Sequence, residues 1–385
     1  MKLVVFGLAI SSSWGNGHAT LWRGLCRALA LRGHRVAFYE RDVPYYAAHR
    51  DLWTLPGGDL HLYPSWEEVR AKAAADVADA AAANVTSFCP DARAAEALIL
   101  DSQTLRVFYD LDTPITLDRL ARGEPVPYIG PRGLVDYDIV LSYTGGASLT
   151  ALADRLGARA AVPLYGSVDP NAHQPVPATP LFEADLSYLG TYAADRQPAV
   201  ERLFLEPARR LGARRFVLGG SQYPLDFPWT PNVFYMRHVA PDYHPAFYSS
   251  SRLTLNVTRE AMAASGFCPS GRLFEAASCG APILSDAWPG LDEFFAPGEE
   301  ILVAETTSGA VAAIECDDEE LRRIARRARE RTLVEHTADR RAAQLEAILA
   351  RRSGETRASD SGGGDRVGNH SGGGRGHAHS AAGVF

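Results

Sequence analysis

Lysine is almost missing from this chain. Lys2 and Lys72 are the only two, and arginine carries nearly all the basic charge. Acidic residues are in excess, 46 against 39, so the formal net charge is −7. That balance gives no general reason to expect nucleic acid or an acidic membrane as a partner. Cysteine is scarce too. Cys26, Cys89, Cys268, Cys279 and Cys316 make an odd five, with no C-x-x-C pair and no zinc spacing to histidine. This argues against a disulfide framework and fits reduced thiols in a cytoplasm. Long apolar runs are also lacking. The run after Lys2 stops at Ile10, too short and wrongly flanked for a signal peptide, and nothing approaches the roughly 20 residues of a membrane span. The expectation is a cytoplasmic globular protein with no transmembrane segment.

What is present is alternation. At 385 residues the chain exceeds one ordinary core, so two domains are the default. Strand-like runs at Leu3–Leu8, Arg35–Tyr39, Asn84–Phe88, Arg106–Tyr109, Ile139–Tyr143 and Ala161–Leu164 are separated by helical or loop segments. That pattern predicts parallel strands joined by right-handed crossovers. DPNAHQPVPATP, from Asp169 to Pro180, holds four prolines and reads as a hinge. Beyond it the alternation restarts, with runs at Leu186–Leu189, Arg215–Leu218, Val233–Tyr235, Leu253–Val257, Ile283–Leu284 and Ile301–Val303. Two helical segments follow, about Asp318–Arg331 and Thr337–Ala350. From Arg352 the Gly, Ser and His-rich sequence cannot bury enough apolar surface to fold, and disorder is expected.

Chemistry-bearing residues fall at strand ends. Gly15-Asn16-Gly17-His18 follows the first strand, where open α/β sheets place ligands. The two glycines admit close approach, and His18 at a helix start can donate to a sugar or phosphate. A dinucleotide site is the rival reading: Gly15-x-Gly17-x-x-Thr20 lacks the third glycine, but Glu40 ends the second strand, where an acidic ribose ligand would sit. Asp110-Leu111-Asp112 is either a D-x-D for a divalent metal or a turn into a helix. In the second half, Gly190-Thr191-Tyr192 ends a strand with Arg196 just before the next helix, and Arg259 follows Asn256-Val257-Thr258. These make a phosphate cradle or a set of surface ion pairs. Ser265–Asp286 reads as loop, helix, Gly-Ala-Pro turn and strand. Ser270, Gly271 and Arg272 lie at the helix start, which favours a diphosphate, and Glu275 one turn on can accept two ribose hydroxyls.

Five pieces in order, SSWGNGHAT, YERDVPYYA, YDLDTPITL, LGTYAADRQPAVE and SGFCPSGRLFEAASCGAPILSD, resemble the CgeB-like (spore maturation protein-like) glycosyltransferases, a branch of the GT-B superfamily related to the group-1 transferases. The resemblance implies two Rossmann-like domains facing across a cleft. Residues 1–170 would approach the acceptor, 171–180 form the hinge, 181–336 hold a nucleotide-sugar donor, and 337–351 cross back, before a disordered tail over 352–385. It implies catalytic roles for His18, Arg196 and Arg272. Donor contacts would come from Gly15, Asn16, Gly17, Gly190, Thr191, Tyr192, Arg259, Ser270 and Glu275, with Arg237 and His238 toward the base. Glu275 matches the second glutamate of the superfamily's E-x7-E motif; the first falls at Phe267, a departure that removes the usual donor-sugar contact. The expected activity is metal-independent hexosyl transfer from a nucleotide-diphosphate sugar, without cofactor, to a glycan, protein or small metabolite. The alternatives are an NAD(P)-dependent Rossmann oxidoreductase and a nucleotide-sugar-binding protein without turnover.

Overall fold

Apolar alternation and crossover helices resolve into two parallel sheets in the structure, a computed structural model that describes residues 1–361. The first sheet comprises β1 (Lys2–Gly7), β2 (Arg35–Arg41), β3 (Gly58–Tyr63), β4 (Ala82–Thr86), β5 (Leu105–Asp110), β6 (Ile139–Ser142) and β7 (Ala161–Pro163). Its order is β3-β2-β1-β4-β5-β6-β7, every pair parallel. The second comprises β8 (Leu186–Leu189), β9 (Phe216–Gly219), β10 (Val233–Met236), β11 (Thr254–Asn256), β12 (Ile283–Ser285) and β13 (Leu302–Val303). Its order is β10-β9-β8-β11-β12-β13, again parallel throughout. Strand order therefore reverses beside β1 in one sheet and beside β8 in the other. A doubly wound sheet opens a crevice at that point, at the carboxyl ends of its strands. The Gly15–His18 loop follows β1 and the Gly190–Arg196 loop follows β8, so the topology sets both at a switch point.

β3 is the strand that sequence alternation passes over. GDLHLY lies at the sheet edge and is only half-buried along most of its length, so it carries a weak apolar signature. The central strands are the opposite: β4 is buried at every residue, alanines and Asn84 included.

The last helix, Ala338–Ser361, returns to the first sheet. Ala338, Ala342, Leu345 and Leu349 join the cluster made by Leu21, Leu25 and Leu29 of the Gly17–Leu31 helix. Arg32 reaches Asp339 at 3.0 Å and Glu346 at 2.6 Å across the same seam. The entry to this helix is tied to the end of the first half, where the Ala338 N–H donates to the Val168 carbonyl at 2.7 Å. The backbone is helical through Ser361, past the expected end of order at 352, and the rest of the expected disordered tail lies outside the described residues.

Leu345 is 7% exposed in that seam. Leu345→Ala is expected to cost ~3 kcal/mol through lost transfer energy plus a cavity, read as an earlier chemical-denaturation midpoint. An unchanged midpoint would mean that the returning helix contributes little to the first half.

Candidate active site

The cleft between the two sheet ends encloses a cavity of about 510 Å³. On its first-domain side the Ile10–His18 loop is held by groups of its own. Glu40, at the end of β2 and fully buried, accepts from the Ile10 and Ser11 N–H groups at 2.7 and 2.9 Å and from Ser11 Oγ at 2.6 Å. With its carboxylate consumed by the loop, Glu40 is not free to take a ribose hydroxyl, which weighs against the dinucleotide reading. Asn16 is similarly occupied. Its side chain caps the Gly17–Leu31 helix by accepting from the His18 N–H, while Nδ2 donates to the Ala9 and Ser12 carbonyls. Asn16 borders the cavity but uses its polar atoms on the loop. Gly15 has a φ of +60°, where L side chains are strained. Gly17 has open space where a Cβ would stand.

His18 lies against the D-x-D segment. Its Nε2 is 2.8 Å from Asp112 Oδ2, leaving Nδ1 buried with no hydrogen-bond partner. When Nε2–H donates to the carboxylate, Nδ1 is the unprotonated nitrogen. The two aspartates have separate jobs: Asp112 orients His18, whereas Asp110 is fully buried and accepts from the Asp112 N–H at 3.0 Å. Burial, reinforced by the negative charge of Asp112, pushes the Asp110 carboxyl up to about 7.

On the second-domain side three arginines gather around the end of β8. Arg196 donates to the Thr191 carbonyl at 3.1 Å, and its buried Nε has no partner. Burial first, then repulsion from Arg272 and Arg259, pulls this guanidinium below its ordinary value. Arg272 donates to Asn256 Oδ1 at 3.0 Å and lies over the Tyr188 ring at 5.5 Å. Arg259 pairs with Asp195 at 3.0 Å. Gly190 is required by this crowding, since a Cβ there would meet the Tyr188 hydroxyl at 2.7 Å and Arg272 at 3.1 Å. Ser270 caps the Gly271–Ser278 helix by position, without a side-chain capping bond. Glu275, 8% exposed, lines the cavity from the same helix. Burial alone would raise its carboxyl, but His173, His244 and Arg272 hold it below the ordinary value.

Thr191, Tyr192 and His238 also border the cavity. Tyr192 packs edge-on against Tyr223 and Phe227. His238 meets Trp14 of the first domain at 4.8 Å between ring centroids, and Arg237 sits over the other part of that contact, 5.9 Å from the Trp14 ring. Arg237 is exposed and does not border the cavity. Phe267 does not border it either. Its ring fills the slot between Gly146 and Gly290, each of which would strike it with a Cβ at 2.4 or 2.5 Å.

Sequence reasoning did not find His173, His244 or the Asp112 partnership. His244 opens a short helix, His244–Ser249, inside the unremarkable stretch PDYHPAFYS. His173 lies in the proline-rich hinge, so only the folded chain brings them beside Glu275. The signal for Asp112 was present in YDLDT but was read as metal or turn.

Two parallel sheets with facing switch points and a returning C-terminal helix define the GT-B class of fold. Residues 196–347 match the model of a family described as glycosyl transferase-like. No curated protein matches the chain. Among solved structures, the chain is similar to a sucrose-phosphate synthase from Thermosynechococcus elongatus, with TM-score 0.68 and 14% identity, covering 93% of this chain and 100% of that one. It is also similar to HepE of Anabaena in complex with UDP-glucose, at 0.62 and 13%, covering 91% and 99%. A third is an alpha-glucosyltransferase in complex with UDP-glucose and DNA containing an abasic site, at 0.66 and 11%, covering 91% and 99%. Among the described residues no helix is long and apolar enough to cross a membrane.

The Asp110 shift has a signed consequence. A carboxyl whose folded value lies above its unfolded one stabilises the fold below the unfolded value, and that contribution is lost as pH rises toward about 7. Asp110→Asn should therefore gain melting temperature relative to the parent between pH 4 and pH 7, with the gain levelling off above. A difference independent of pH would show that Asp110 titrates normally.

Proposed function

We propose that this protein is a glycosyltransferase that moves a sugar from a nucleoside-diphosphate donor without a metal ion. The observation that carries the proposal is the half-buried Arg196, whose buried Nε is unpartnered and which has Arg272 and Arg259 near enough to repel it. Buried cations are costly unless paired, and these three face the cavity beside a helix start. A diphosphate supplies the missing charge, and the same guanidiniums stabilise it as the leaving group. Glu275, one turn into that helix and held ionised, takes the ribose diol. Gly190, Thr191, Tyr192, Ser270 and His238 complete the donor side, and the Gly15–Gly17 loop closes it.

The acceptor hydroxyl attacks the anomeric carbon as the bond to the diphosphate oxygen breaks, leaving the electron pair on the diphosphate. The acceptor proton passes to His18 Nδ1, with Asp112 holding the imidazole in the tautomer that frees this nitrogen. The arginines replace a divalent cation in neutralising the leaving group. The match of residues 196–347 to a glycosyl transferase-like family supports the donor assignment for that half. The UDP-glucose bound to two of the similar structures makes UDP the first nucleotide to test.

UDP at a hundred times its Kd should stabilise the chain by about 2.7 kcal/mol, read as a rise in Tm. Glu275→Ala and Arg196→Ala should each remove most of that rise. A rise with NAD(P) in place of UDP, GDP, ADP and dTDP would favour an oxidoreductase and sink the proposal. His18→Ala should keep the UDP shift while transfer to acceptor or water falls about 10²- to 10⁴-fold. Binding without turnover in the unmodified chain, across a broad acceptor panel, would favour a nucleotide-sugar-binding protein.

A further inference from the structure

Two buried side chains and one half-buried one, from separate elements, meet beside the proposed donor site. His173 comes from the hinge, His244 from the start of the His244–Ser249 helix, and Glu275 from the Gly271–Ser278 helix. One ligand atom from each lies within 4.8 Å of the other two. His173 Nε2 is 3.5 Å from His244 Nδ1, and His244 Nδ1 is 3.8 Å from Glu275 Oε2. These separations are long for hydrogen bonds, which cluster near 2.9 Å. They are close to the edge of a tetrahedron about 3.3 Å long that metal–ligand distances of about 2.0–2.1 Å generate.

The second nitrogen of His244 strengthens the case. Its Nε2 lies 3.2 Å from the Val239 carbonyl, to which Nε2–H donates. That bond fixes the tautomer with the Nδ1 lone pair turned toward Glu275, as an outer partner fixes a metal-ligating histidine. His173 is 6% exposed, its Nδ1 has no partner, and its Nε2 is joined to His244 only by the long 3.5 Å contact, so the pair is weakly satisfied within the protein. Two imidazoles and one carboxylate, with ligand atoms all within 4.8 Å of one another, are a zinc-type donor set that a bound ion would draw together, and His244 and Glu275 border the cavity from which a fourth ligand could come.

We propose that His173 Nε2, His244 Nδ1 and a Glu275 carboxylate oxygen form a Zn²⁺ site, and that zinc bound there competes with nucleotide for Glu275. The site stands on the geometry of the three side chains. Only the competition rests on the proposed function, because a ribose diol needs both carboxylate oxygens and the metal takes one. Zinc would then be an inhibitor of donor binding that also pins the hinge to the second domain, rather than a participant in transfer.

The test uses the full chain, stripped with chelator, loaded with ZnCl₂, desalted and assayed for metal by mass spectrometry. Close to one zinc per chain is expected, and Co²⁺ in its place should give the intense visible bands of a tetrahedral centre. His173→Ala and His244→Gln, each checked for folding by circular dichroism, should weaken zinc binding at least tenfold. Zinc should shrink the UDP-dependent rise in Tm of the parent chain and leave that of His173→Ala unchanged. Substoichiometric zinc in the parent, or parent-like affinity in either folded variant, overturns the site. Stoichiometric zinc with an unaltered UDP shift overturns the competition alone. Stoichiometric zinc with no UDP shift in any state leaves the site standing and removes the transferase reading.

Discussion

The constraint on which the cleft depends is the half-buried Arg196 guanidinium, whose Nε is closed off from solvent without a partner. Arginine keeps its charge at any physiological pH, so an interior position must be compensated or it drains stability from the fold. The protein compensates only in part. Arg259 has Asp195, Arg272 has the Asn256 oxygen and the face of Tyr188, and Arg196 has a single backbone carbonyl. The local backbone is shaped around this deficit. Gly190 makes room for Tyr188 and Arg272, and Gly220, at φ +150°, lets the loop after β9 touch the Gly190 carbonyl. Three guanidiniums around the end of β8, with one protein carboxylate paired to Arg259, leave the site with an excess of positive charge.

The opposite wall is built by the reverse device. There an acidic residue is spent on the protein itself. Glu40 satisfies three donors of the loop after β1, and Asn16 satisfies the first turn of the helix that follows. The result is a loop whose own polar atoms are used up, and which presents His18 with one nitrogen bound to Asp112 and the other without a partner. A loop whose polar atoms are satisfied internally fixes an imidazole more firmly than a loosely bonded one could. The two walls stay in register because the chain crosses twice. The hinge carries it out, and the Ala338–Ser361 helix brings it back onto the Gly17–Leu31 helix.

The fold was legible because its signals are local. Buried parallel strands read as short apolar runs, and Gly280 followed by Pro282 marks the end of the Gly271–Ser278 helix at its observed residue. β3 was not legible because an edge strand need not be apolar. In the site, strand-end position pointed to Gly15–His18, Gly190–Arg196 and Arg259, since a switch point follows from strand order alone. The identity of partners did not follow. Glu40 looks the same in sequence whether it grips a ribose or a backbone. Asp110 and Asp112, two residues apart, differ only in which faces the interior. His173 and His244 are 71 residues apart, and no periodicity joins them.

Phe267 shows how a departure from a motif becomes structural. At the position where a donor-sugar contact would be expected, the ring is turned away from the cavity into a slot formed by Gly146 of the first half and Gly290 of the second. Its backbone adopts φ +49°, a conformation that costs a non-glycine residue about 1–2 kcal/mol. That cost is met across the domain boundary. The Phe267 carbonyl accepts from the Gly145 N–H at 3.0 Å, its own N–H donates to Pro289 at 2.8 Å, and the next residue, Cys268, accepts from Thr144 Oγ1 at 3.1 Å. A net hydrogen bond contributes about 0.5–1.5 kcal/mol, so two across the boundary, with the half-buried ring seated in its slot, offset the strain. Both glycines have positive φ and no space for a side chain, so the slot is as specific as the ring that fills it. Phe267 therefore leaves no gap in the wall: it is part of the contact that holds the two sheets face to face, while Arg272, Ser270 and Arg259 are among the polar groups that line the cavity beside it.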